Sequence, residues 1–234
     1  MAHTAVTPAK RFWTDVAIVD RNILLDGRAL KTPARAALSL PTDALANAVA
    51  EEWRSVDATI DPRAMPLTGL ANAAIDRVAP DIATFADGLA RYAQADLLCY
   101  RASHPTELIA RQGEIWDPPL DWARSRYDID FVVTGGIVHV DQPPETIARL
   151  RDAVAARDAF HLAGLSPLIT LSGSLVLALA LAEGAMTEQQ AWDAAELDEL
   201  FQAEHWGEDS LATTMRDDKR RDFRAAARFL ALLD

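Results

Sequence analysis

From Leu162 to Ala182 the chain carries 21 consecutive uncharged residues, ending in "LVLALALA". Such a run must leave water, either into a bilayer, which about 20 helical residues span, or into the core of a sizeable fold. Pro167, Thr170, Ser172, Gly173 and Ser174 interrupt its first half, and the strongly apolar remainder makes only about two helical turns. No basic flank lies beyond it, as the positive-inside rule would ask on a cytoplasmic side. The run therefore reads as a fully buried core helix, capped by Ser172 or Ser174 and stopping near Gly184, and no integral membrane segment is expected.

A helix buried on all sides needs neighbours. The 234 residues suffice for one large domain or two modest ones. Near the N-terminus, "DVAIVD", "NILLDG" and "AALSLP" are short apolar runs separated by turn formers at Asp20-Arg21-Asn22 and Asp26-Gly27. That is hairpin grammar, but too few strands for a stable sandwich, so this unit should pack on the helices C-terminal to it. "PTDALANAVAEEWRSV" then begins a helix with Thr42 as N-cap and Leu45, Val49, Trp53 and Val56 on one face. "LTGLANAAIDRV" and "DIATFADGLARYAQADLLCY" come next as helices, the second turning Ile82, Phe85, Leu89, Tyr92 and Leu97 to a core. "EIWDPPLDWA" is expected to break at Pro118-Pro119, with the prolines opening a helix that carries Trp122. "ETIARLRDAVAARDAFHLAG" resumes as helix, ending near His161. The fold class expected is α+β: a small N-terminal β-rich domain with its first helix over residues 1–60, then a larger, mainly α-helical domain over 61–234. A short β-hairpin near 129–140, containing His139, is expected around Gly135-Gly136.

The formal charge of −12 is unevenly spread: ten acids and no Lys or Arg lie between Asp158 and Met215, leaving 25 acids against 23 bases elsewhere. Such a field repels phosphates, which sets nucleic acid aside, and suits a basic partner surface, a cation, or solubility alone. The one cysteine, Cys99, forms no intramolecular disulfide and sits on an apolar face, so it reads as core rather than thiolate. His3, His104, His139, His161 and His205 form no ligand spacing, "LSGSLV" lacks a nucleophile elbow, and "TGGIV" lacks the helix N-terminus of a phosphate loop. No cofactor or metal is expected.

The acidic window culminates in "AELDELFQAEHWGED". On a helix from Ala191 to Trp206, at about 100° per residue, Ala194, Leu197, Leu200 and Phe201 make one apolar side. Trp192, Glu199 and Trp206 line up on another, with Glu196 beside them. A glutamate between two indoles is a catalytic acid, a partner for a basic group, or a buried anchor.

Read together and in order, "LLDGRALKTP", "LANAVAEEW", "IDPRAMPLTGLANAAIDRV", "ADLLCYRA", "WDPPLDWA", "GSLVLALALAEG" and "LDELFQAEHWGED" resemble the F1-ATPase assembly chaperone family that serves the α subunit of ATP synthase. The resemblance implies a non-enzyme of two parts. It would bind the unassembled α subunit and prevent its aggregation until the β subunit replaces it. It places the chain in a bacterial cytoplasm, or in the mitochondrial matrix if a transit peptide has been removed, and a monomer is expected. The family's "LDE" element falls on Leu197-Asp198-Glu199, so importance of an acid carries over to Asp198 or Glu199. The family commonly continues with another acid and an aromatic, where Leu200 and Phe201 stand here. Trp53 matches the tryptophan of the family's "EW" element, with a structural role. The expected docking face is thus an apolar patch rimmed by acids: Trp192, Glu196, Asp198, Glu199 and Trp206. The rivals are a carboxylate- or metal-dependent hydrolase using Glu199, Glu204 and His205, and a peripheral membrane protein using Leu175 to Leu181.

Overall fold

A computed structural model describes residues 9–207 and 210–234; His3 and the acids Glu208 and Asp209 fall outside the described residues. Strands β1 (Val16–Val19), β2 (Asn22–Leu25) and β3 (Arg28–Ala29) form one antiparallel sheet in that order. Both connections are two-residue turns with positive φ, at Asp20-Arg21 (49° and 62°) and Asp26-Gly27 (47° and 75°), the backbone that matches the twist of a hairpin. The Asp26 carboxylate fixes the second turn by accepting the Thr14 and Asp15 N–H groups at 3.0 and 2.8 Å.

So small a sheet buries nothing by itself, and helix α1 (Asp43–Arg54) covers it. Thr42 caps α1 by accepting the Leu45 N–H, and Leu45, Val49 and Trp53 join Trp13, Val16, Ile23 and Leu25 in one apolar cluster. On its other side α1 sends Glu52 to the start of α2 (Pro66–Ala73). There the carboxylate accepts the Leu67 and Thr68 N–H groups at 2.8 Å each and the Thr68 hydroxyl at 2.6 Å. Burial still pushes the Glu52 carboxyl above its ordinary value, outweighing these bonds.

Beyond α2, a π turn (Ala74–Val78) and a 3₁₀ turn (Ala79–Asp81) lead into α3 (Ile82–Ala90). The chain continues through β4 (Tyr100–Arg101), α4 (Thr106–Tyr127), β5 (Thr134–Gly135), α5 (Pro144–Ala155), α6 (Ala159–Ser172), α7 (Leu175–Ala182), α8 (Glu188–Ala195), α9 (Leu197–Trp206) and α10 (Ser210–Ala231). The architecture is α+β, a small N-terminal sheet and then a mainly helical body.

The uncharged run becomes two core helices. Gly173, at φ 68°, ends α6 in the left-handed conformation, and Ser174 caps α7 by accepting the Leu177 N–H. Every residue from Leu175 to Ala180 is buried. Among the described residues no helix is long and apolar enough to cross a membrane. The start of α7 is also met by Asp96, wholly buried, whose carboxylate accepts the Ser174 hydroxyl at 2.7 Å and the Val176 N–H at 3.0 Å. Against α6 lies α10, so closely that a Cβ on Gly164 would meet Leu230 side-chain carbons at 2.6 and 2.8 Å.

Several expectations from the sequence need correction. Helix α4 runs unbroken through Pro118 and Pro119. Trp116, Leu120 and Ala123, all fully buried, hold it to the core, and Asp117 is tied to Arg101 at 2.7 Å, so packing outweighs the local cost of the prolines. No hairpin forms near 129–140: β5 pairs in parallel with β4 instead. The Gln142 side chain takes the place of a partner strand, bonding the Val132 N–H and C=O at 2.9 Å each, while Ile137 and Val138 stand in water. The helix expected to end near His161 stops at Ala155, and a new one begins after Asp158, which accepts the His161 N–H. Ile82, placed toward the core, is instead exposed at the start of α3. Cys99, as expected, is fully buried, and desolvation pushes its thiol up to about 12, far from any thiolate chemistry.

Candidate functional site

The acidic stretch does not fold as one helix. It divides at Glu196, whose φ of −98° and ψ of 11° end α8 before α9 begins. The break turns the residues expected in line to different surroundings. Trp192, 2% exposed, packs edge-on against Phe223 at 5.5 Å, with the Arg220 guanidinium 5.7 Å from its ring centre. Glu196, 4% exposed, faces α10, where Arg216 and Lys219 stand 3.8 and 3.9 Å from its carboxylate. Loss of hydration raises its carboxyl above the ordinary range, and the nearby Glu199 adds to the rise. Trp206, by contrast, is 77% exposed at the end of α9.

Between these extremes, Asp198 accepts a hydrogen bond from the buried Gln112 amide at 2.7 Å. Gln112 in turn accepts the Ala102 N–H at 2.7 Å, so Asp198 is the outer end of a chain of bonds into the core. Around it α4 fastens the acidic helices: the Trp116 indole donates to the Ala194 carbonyl at 2.8 Å, and Arg111 pairs with Glu204 at 2.6 Å and Glu107 at 2.9 Å. Arg111 also lies over the buried ring of Phe201, which stacks on the His205 ring at 4.2 Å. Glu199 is exposed and makes no hydrogen bond or ion pair among the described residues. Past α9, the first turns of α10 expose Leu211 and Met215.

The residues of the hydrolase alternative are not brought to one point. Glu204 is held by Arg111, and the His205 Nδ1 lies 2.8 Å from the Phe201 carbonyl. Among the described residues no three His, Cys, Asp or Glu side chains are grouped to hold a metal ion. Trp53 lies in the N-terminal core against Trp13, ring centres 5.0 Å apart.

The family model described as "ATP12 chaperone protein" matches residues 10–124. The solved structure of Atp12 from Paracoccus denitrificans superposes with a TM-score of 0.93 at 43% identity, covering 97% of this chain and 99% of that one. The chain belongs to the ATP12 chaperone family. A putative chaperone from Agrobacterium tumefaciens is similar at 42% identity and a TM-score of 0.91, over 96% of this chain and 86% of that one. The mitochondrial protein atp12 of Schizosaccharomyces pombe is 25% identical over 219 residues, 85% of this chain and 74% of the relative.

Of the three residues that clamp the acidic helices of this family member, Trp116 opens the "WDPPLDWA" motif, while Arg111 and Gln112 carry no motif of their own. The partners of all three lie 78 to 93 residues away. Only the i, i+4 spacing of Gln112 and Trp116 on "RQGEIW" hints that one face of α4 receives another element.

Proposed function

We propose that the chain is an assembly chaperone for the F1 sector of ATP synthase, holding the unassembled α subunit and covering its apolar surface until the β subunit takes its place. The reading rests on family membership and, in this chain, on one observation: Glu199 offers an exposed carboxylate, unpaired among the described residues, on the same helix that ends in the exposed Trp206. Leu211 and Met215 add apolar area at the start of α10. An apolar patch beside free negative charge suits a client face that combines apolar residues with Lys or Arg.

Of the acids carried over from the family, Asp198 already holds Gln112, so its part is to position α9, while Glu199 is the one with capacity for a client cation. Trp192 and Glu196 act from beneath the surface, anchoring α8 and α9 on α10. No bond of a substrate is made or broken. The protein works as a monomer in a bacterial cytoplasm or in the mitochondrial matrix.

The test is suppression of α-subunit aggregation, measured by light scattering after dilution of the client from denaturant. Glu199→Lys should keep the wild-type melting temperature, since it removes a charge that raises the Glu196 carboxyl, yet lose most protection. Protection equal to wild type by a folded Glu199→Lys protein would overturn the assignment of Glu199.

A further inference from the structure

A groove of about 380 Å³ runs between α4 and the corner joining α7 to α8. Ile115, Pro118, Trp122 and Met186 give it apolar walls, and its rim carries Glu114 and Asp193 but no Lys or Arg. Covalent structure adds something to the α4 wall. Pro118 and Pro119 have no N–H, so the carbonyl oxygens of Glu114 and Ile115 cannot receive the bonds a helix supplies from four residues ahead. Those two residues and the two prolines all line the groove. It combines apolar carbon and two carboxylates with a stretch of α4 in which two carbonyls lack their i+4 donors.

The groove is also continuous with the surface of the acidic helices. Arg111, Ile115, Pro118 and Trp122 keep the i, i+4, i+7, i+11 spacing of one helix face, and Arg111 carries the ion pair to Glu204 of α9. A second copy of this chain is a poor occupant, because it would bring a net charge of −12 to an acid-rimmed site.

We infer that this groove receives a segment of the client in which a bulky apolar side chain neighbours an arginine or lysine. The apolar group lies on Ile115, Trp122 and Met186, and the cation meets Glu114, Asp193 and the carbonyls that lack helix donors. That the client is an F1 subunit rests on the chaperone reading proposed for the chain; the chemistry of the segment does not.

The experiment pairs two readouts on the full chain. Fluorescence anisotropy compares two short labelled peptides, each with a Leu-Phe centre, one flanked by Arg and one by Glu. The wild type should prefer the Arg-flanked peptide by at least about 10-fold. Ile115→Arg and Glu114→Lys, both at exposed positions, should abolish that preference while keeping the wild-type circular dichroism. Pro118→Ala restores a donor to the Glu114 carbonyl, so it should raise the melting temperature and weaken the Arg-flanked peptide together. No preference in the wild type, or a preference that survives Ile115→Arg and Glu114→Lys, overturns the inference. The second readout is α-subunit aggregation. If the wild type protects and the groove variants protect equally, the groove fails and the chaperone reading stands. If the groove selects the Arg-flanked peptide but the wild type leaves the α subunit to aggregate, the groove stands and the choice of client fails.

Discussion

Asp198 and Glu199 are neighbours in sequence with opposite obligations. The Asp198 oxygen satisfies the amide of Gln112, which is 1% exposed, and removing it strands a buried donor at a cost of about 1–3 kcal/mol. Asp198→Ala should therefore lower stability by about that amount in urea unfolding, whereas Asp198→Asn, which keeps an acceptor oxygen, should stay within about 0.5 kcal/mol of wild type. Equal losses in the two variants would mean that charge rather than the hydrogen bond matters there. The sequence marks both as acids in a base-free window but gives no sign of which is tethered, because the tether comes from Gln112, 86 residues away. The tryptophans divide in the same way. Trp192 and Trp206 look equivalent on a helical wheel, and only the turn at Glu196 sends one inward and leaves the other in water.

At the scale of elements, capping and turn chemistry were legible at Thr42 before α1, at the Ser172-Ser174 cap region before α7 and at the two positive-φ turns of the sheet, but not at Asp158, whose cap starts α6 inside a run that reads as one helix. Local signals misled where distant packing prevailed, as in α4, whose buried face carries it through two prolines. Asp96 belongs to this scale because it fastens the start of α7. Burial raises its carboxyl from the ordinary 3.8 to about 6, despite the donors it accepts from Ser174, Val176 and Leu98. The folded protein thus holds that proton more tightly than the unfolded chain does, and the folded state loses stability as pH rises from about 4 to about 6, with no further change above. Urea unfolding across this range should show the stability gap between wild type and Asp96→Ala shrinking toward pH 6. A gap that stays constant would mean that Asp96 does not titrate in the folded state.

For the molecule as a whole, α+β organisation, the burial of the Leu162–Ala182 run and the need of the sheet unit to pack on the helices are legible in the sequence, whereas the side chains that join the two are not. The join depends on residues far apart in the chain. Phe229 of α10 is fully buried in the cluster that contains Trp13 and Leu45 and stacks at 6.3 Å on Phe160 of α6, while Leu70, Phe160 and Leu233 touch both clusters. Phe229→Ala should cost about 3–5 kcal/mol. Hydrogen exchange should then quicken in β1, β2 and α6 alike, because the cavity opens where the two clusters share side chains. Faster exchange confined to the sheet would show instead that the two clusters unfold independently.

Phe229 also imposes an order of events during synthesis. A ribosome delivers the strands and α1 long before α10, so the nascent sheet unit waits with the Phe229 seat vacant. The segment that fills it emerges only after the strands and every other described helix. A protein whose proposed task is to shelter another's unfinished surface would thus pass through an unfinished stage of its own.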